Sequence, residues 1–186
     1  MIAYGSTELA NAFRTVRKNT VQIAEEIPEE KYDFVPAPGV RSVRSLLRHV
    51  AYGPTMYEDM HRERRVTTLQ GYDFGAIIGR IGSLEQSPNS KAEIIELLKR
   101  DGERFAAWLQ SLSPEFLNET FTDPMGQNPR TRFESLLGVK EHEMHHRGQL
   151  MLVQRMLGIT PHLTRQREER SRARQAPAQA TASATA

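Results

Sequence analysis

Residues 141–150 read EHEMHHRGQL, and from His142 to His146 they spell H-E-x-x-H. On a helix, two histidines four residues apart share one face, and a glutamate beside them completes the zinc-binding helix of metalloproteases. Two imidazoles alone leave a metal under-coordinated, so the chemistry depends on what supplies a third ligand.

A helical wheel at 100° per residue, with His142 at zero, puts His146 at about 40°, Gln149 at about −20°, Val153 at about 20° and Leu157 at about 60°. Both histidines therefore lie on an apolar stripe. Glu143 falls near 100°, on a flank that reads as solvent-facing, and His145 near −60°, at the boundary. Gln149 points inward, where it orients a ligand or bonds a neighbouring helix. A third histidine is embedded in the same way: with His49 at zero, Leu46 falls at about 60°, Gly53 at about 40°, Met56 at about −20° and Met60 at about 20°. Tyr52, Met56 and Tyr57 lie close to it, as core or as pocket lining. Imidazoles buried among aliphatic side chains are costly unless their nitrogens find partners, and one metal ion supplies partners for all three.

The protease alternative lacks its other parts. A thermolysin-like site needs a downstream glutamate ligand, and here the downstream carboxylates are Glu168 and Glu169, in a charged C-terminal run. The extended H-E-x-x-H-x-x-G-x-x-H pattern fails too, because Gly148, Gln149 and Leu152 follow His146. Glu58–His61 and Glu143–His146 match the Glu-x-x-His spacing of di-iron bundles. Yet Glu58 falls about 180° from His49 and His61 about 120°, so EDMHRERR reads as a solvated face.

Four periodic segments must position these residues. Leu9, Phe13, Val16, Thr20, Ile23 and Ile27 mark a helix from about Ser6 to Ile27, closed by Pro28. A second helix starts at the N-cap Ser42 and runs to about Arg64, kinked at Gly53-Pro54. Residues 65–89 read as a glycine-punctuated loop with a short helix at most. A third helix opens at Ser90, which forms a capping box with Glu93, and buries Ile94, Leu97, Leu98, Phe105, Trp108 and Leu109. A fourth runs from about Phe133 to Leu157 and ends at Gly158. With no internal repeat and no strand pattern, the fold class is all-α, a four-helix bundle with long connections.

Composition bounds the rest. At 186 residues, 26% charged and 38% hydrophobic, the chain suits one globular domain. It contains no cysteine, which excludes disulfides, thiolate ligands and a cysteine nucleophile. The net charge is +2, but from residue 165 onward five arginines face two glutamates, giving +3 and leaving −1 for the body. The basicity thus belongs to a tail rather than to a nucleic-acid groove. The expected organisation is a bundle domain over residues 1–163 and a basic, low-complexity tail without regular structure over 164–186. No secretory signal or membrane-length apolar run is visible, so a cytoplasmic location is expected.

The segments PAPGVRSVRSLLRHVAYG (Pro36 to Gly53) and EHEMHHRGQLMLVQRMLG together resemble the DinB/YfiT-like superfamily of metal-binding four-helix bundles. The first matches that family's P-x-G-x-x-S…L-x-H-x-A segment and the second its H-x-x-x-H-x-G-Q run. The resemblance covers roughly residues 6–160. It implies a divalent metal, commonly zinc or nickel, on His49, His142 and His146, and often a homodimer. It also implies a small-molecule substrate and activity as a metal-dependent hydrolase or as a transferase or isomerase using a low-molecular-weight thiol. Three imidazoles would leave a coordination position open, as in catalytic rather than structural sites. The alternative class is a non-catalytic metal-binding stress-response or scaffold protein whose basic tail makes the contacts.

Overall fold

The computed structural model of the chain describes residues 4–87 and 90–183, with side chains up to residue 175. Its three longest bundle helices follow directly from periodicity and capping. Helix α1 (Ser6–Glu26) buries Leu9, Phe13, Val16, Thr20 and Ile23, the predicted stripe. Helix α2 (Val43–Tyr52) is capped by Ser42, whose hydroxyl accepts from the Ser45 amide. Gly53 and Pro54 then interrupt it: Pro54 has no N–H to continue the ladder, and a short α3 (Pro54–Glu58) restarts there. Helix α5 (Lys91–Gln110) opens on the Ser90/Glu93 capping box. Helix α7 (Arg132–Met156) opens on a second capping box, Thr131 with Glu134, and stops before Gly158, whose φ of +76° suits a left-handed terminus.

Helix α1 lies against α5 and α7, and α2 lies against the same two helices, which makes the four-helix bundle. Ile23, Ile27, Leu47, Ile94, Leu98 and Leu150 fill one end of its core, and Leu9, Phe13, Phe105, Leu109 and Leu136 fill the other. Each such fully buried side chain contributes roughly 1.5–3 kcal/mol, so the two clusters dominate the stability of the bundle. At one end Lys91 of α5 donates to the carbonyls of Glu25 and Ile27, both at 2.7 Å, satisfying acceptors that α1 leaves open.

Several connections differ from expectation. Residues 74–85 form a three-turn helix, α4 (Phe74–Glu85), started by Asp73, whose carboxylate accepts from the Ala76 amide at 2.8 Å. Its glycines weaken the local helical signal, but packing on α2 and α3 overrides propensity. A short α6 (Pro114–Asn118) leads into two strands, β1 (Thr120–Phe121) and β2 (Arg130–Thr131), paired antiparallel with Thr120 opposite Thr131. Two-residue strands are too short to show alternation in sequence. Where an irregular tail is expected, the chain forms α8 (His162–Ser183); residues 184–186 of that expectation lie outside the described residues. Its Arg, Gln, Glu and Ala are good helix formers. Its first turn is anchored: His162 is buried and donates to Asn19 at 3.2 Å, and Arg165 reaches Glu26. Among the described residues no helix is long and apolar enough to cross a membrane.

Candidate metal centre

The bundle brings His49 of α2 together with His142 and His146 of α7, and one ring nitrogen of each lies within 4.8 Å of the others. The Nε2 of His142 is 3.1 Å from the Nε2 of His49 and 3.1 Å from that of His146. The outward nitrogens of His49 and His146 are tied elsewhere. His49 Nδ1 lies 2.7 Å from Oε1 of Glu85, at the end of α4. An ionised carboxylate only accepts, so Nδ1 carries the proton and Nε2 presents its lone pair inward. His146 Nδ1 donates likewise to Oε1 of Gln149 at 2.9 Å, and the amide of Gln149 donates to His145 at 3.1 Å. Gln149 is therefore exposed and orients His146, rather than pointing into the core.

Unprotonated lone pairs facing one another at 3.1 Å are repulsive without a shared cation. Metal–imidazole bonds of about 2.0–2.1 Å at near-tetrahedral angles would space the nitrogens by ~3.3 Å, close to the separation found. Protonation is suppressed as a metal site requires. Burial, reinforced by His146 and His49, pushes His142 down to about 4, and burial lowers His146 as well. The ring of His142 also fits against the helix break. A Cβ on Gly53 would stand 3.1 Å from its Cε1 and Nδ1, so the absent side chain makes room for the imidazole.

Glu143, the glutamate of the protease-like string, is not solvent-facing. It is buried on the α1 side of α7 and paired with Arg17, whose Nε lies 2.9 Å from its Oε1; the two side chains are 5% and 3% exposed. Arg17 also donates to the carbonyls of Leu98 and Val50. Helix α7 has neighbours on two sides, so its buried arc is wider than the one stripe that carries the histidines. Held by Arg17, Glu143 is no free base. Room for Arg17 comes from Gly102 of α5, where a Cβ would sit 2.7 Å from the arginine Cγ.

The segment around Glu58 and His61 also differs from a solvated face. Glu58, Asp59 and His61 are all buried. The break at Pro54 and a π turn over Asp59–Glu63, where the Arg64 amide bonds the Asp59 carbonyl, shift the wheel that a continuous helix would follow. Glu58 is met by Arg104 and Arg62, and Asp59 by Arg64 and Tyr72. His61 Nε2 lies 2.9 Å from Ser135 Oγ, the residue types of a nucleophilic dyad. Arg132 donates to His61 Nδ1 at 3.0 Å, which places the ring proton on Nε2. His61 thus donates to Ser135 and cannot take its proton. Glu58 and His61 lie apart from the histidine triad and Glu143 is held by Arg17, so the di-iron spacing is accidental.

A cleft of about 430 Å³ opens beside His146 and Gln149, between α7, the start of α2 and the crossing segment that precedes it. Its volume lies within the usual range for small-molecule sites. Tyr52, Met56 and Tyr57 do not line this cleft; they are half-buried and pack against the core clusters, and Tyr52 also borders a separate surface pocket beside α5.

Residues 12–150 match the DinB superfamily. The chain belongs to that superfamily. It is similar to the uncharacterized protein YjoA of Bacillus subtilis, 24% identical over 157 residues, covering 83% of this chain and 92% of YjoA. The crystal structure of that DinB-like protein superposes with a TM-score of 0.61, covering 82% of this chain and 93% of the other. YfiT from Bacillus subtilis superposes with a TM-score of 0.63 at 18% identity, over 83% of this chain and 89% of YfiT; it is described as a probable metal-dependent hydrolase with an unusual four-helix bundle topology. These likenesses agree with the all-α bundle and with the resemblance carried by the two histidine segments. Glu85 is the residue of the cluster that sequence spacing does not reveal, since it sits in α4, outside both motifs.

Proposed function

We propose that the protein is a metal-dependent enzyme in which His49, His142 and His146 hold a divalent ion, zinc or nickel, and act on a small molecule admitted by the cleft. The observation that carries this is the inward convergence of the three Nε2 atoms, with the outward Nδ1 atoms of His49 and His146 engaged by Glu85 and Gln149. Carboxylate–histidine pairs of this kind fix tautomer and ring orientation in metal sites. His49, His142 and His146 would hold a divalent ion that would supply Lewis acidity, lowering the pKa of a water toward neutrality or favouring the thiolate form of a thiol.

The chain's own groups do the positioning. Glu85 holds the proton on His49 Nδ1 and keeps the ring turned inward. Gln149 does the same for His146. Burial keeps His142 neutral and its lone pair available at physiological pH. The apolar walls of the cleft limit water around a bound substrate. With Glu143 locked to Arg17, the nucleophile is an activated water or an external low-molecular-weight thiol rather than a side chain, in keeping with a sequence free of cysteine.

Elemental mass spectrometry on the untagged protein and on His49→Ala tests the reading. Near one equivalent of metal, lost in the variant, is the expected result. A wild type without metal, or a variant that retains its full content, would overturn the triad. A metal-loaded sample assayed on activated esters, and on an aryl halide with and without a small thiol, separates hydrolysis from thiol transfer.

A further inference from the structure

The cleft beside His146 has an uneven chemistry. Val40 of the crossing segment and Leu152 and Met156 of α7 line it, and they are 48%, 60% and 51% exposed. Large apolar side chains left in water around a concavity mark a binding surface rather than a solvated face. Of the twelve residues that line the cleft, Arg41 carries the only fixed charge. Its side chain is 46% exposed, and its nearest carboxylate oxygen, Oε2 of Glu85, is 3.9 Å away. The other oxygen of Glu85 is engaged by His49 at 2.7 Å, so this carboxylate serves the imidazole first and Arg41 at the limit of an ion pair.

We propose that the cleft selects a small amphipathic carboxylate: an apolar body lies along Val40, Leu152 and Met156, and its carboxylate meets Arg41. A guanidinium matches a planar carboxylate with two parallel hydrogen bonds, whereas an uncharged or cationic end group gains nothing there. The arrangement places such a molecule alongside His146, so it names the substrate class of the metal-dependent reading and rests on that reading for the reaction, though not for binding.

Octanoate is the probe, compared with octanol and octylammonium, by titration calorimetry and amide chemical shifts on the full chain. The metal content is measured on the same sample. Octanoate is expected to bind about tenfold or more tightly than octanol, to shift Gly39, Arg41 and Leu152, and to lose that advantage in Arg41→Gln. Leu152→Glu, on an exposed position that folding does not depend on, is expected to weaken it further. Equal binding of octanoate and octanol, or an Arg41→Gln variant that binds octanoate as the wild type does, would overturn the proposal. So would a preference that survives in Arg41→Gln but vanishes in His49→Ala, since the carboxylate then goes to the metal. A dimer that Leu152→Glu dissociates, with no octanoate binding in either state, would assign the surface to a second copy and overturn it as well. Selective octanoate binding by a sample that holds no metal keeps the substrate class and removes the metal reading, so the two fail separately.

Discussion

Nδ1 of His49 on α2 and Oε1 of Glu85 on α4 are 2.7 Å apart, and this contact couples a helix with no chemical motif to the centre of the histidine triad. Glu85→Gln keeps the shape but replaces an obligate acceptor by a neutral amide. Partners of this kind commonly account for 10- to 100-fold in metal affinity, so a loss of about that size is expected. Competition with a metal-binding dye reads it, with thermal unfolding as a control for the fold. An affinity equal to wild type would show that Glu85 merely accompanies His49.

Glu143 offers the opposite expectation, because the same string that suggests a catalytic base places it against Arg17 at 2.9 Å in the core. Removing one partner of a buried pair leaves an uncompensated charge and costs about 3–5 kcal/mol. Glu143→Gln should therefore lower the urea midpoint strongly while the folded protein keeps its metal. A base would give the reverse: unchanged stability and lost turnover.

Acid should begin to weaken the fold above the ordinary carboxylate range. His61 is fully buried, and burial, with Arg132 and Arg130 nearby, holds it down to about 4 from an ordinary 6.5. Between those values the unfolded chain binds a proton that the native state refuses, so stability falls as pH drops from about 6.5 to 4 and is flat above it. His142 adds a second such group over the same window. Each contributes up to ~1.4 kcal/mol per pH unit of slope. Chemical denaturation of metal-free protein at several pH values checks this, and His61→Gln should flatten the slope. A wild-type profile that is level from 6.5 to 4 would contradict it.

The bundle was legible wherever one rule acted over a long window. Helices α1, α5 and α7 each carry a 3.6-residue stripe, α5 and α7 open on capping boxes, and the wheel that placed His49 of α2 and His142 and His146 of α7 on inward stripes depends on that period alone. What escaped is tertiary. Glu85 belongs to a glycine-broken helix with a single fully buried residue, Ile77, so no stripe announces it. Glu143 lies off the stripe because α7 packs on α1 as well as α2. Glu58 follows the proline break and His61 sits within the π turn, where 100° per residue no longer applies.

Gly53 gives the sharpest test of the fit around His142. Its φ of −50° and ψ of −41° are helical, so alanine costs nothing in the backbone, and it gains up to about 1 kcal/mol in helix propensity. The added Cβ, however, stands 3.1 Å from Cε1 and Nδ1 of His142, inside normal contact distance. The ring must move by a few tenths of an ångström, and its Nε2 moves with it away from the other two. Metal sites tolerate such displacement poorly, because the bond lengths are fixed to within about 0.2 Å. Gly53→Ala should thus hold or raise the melting temperature while weakening metal binding by about tenfold. Stability and affinity moving together would mean that Gly53 serves the helix break rather than the imidazole.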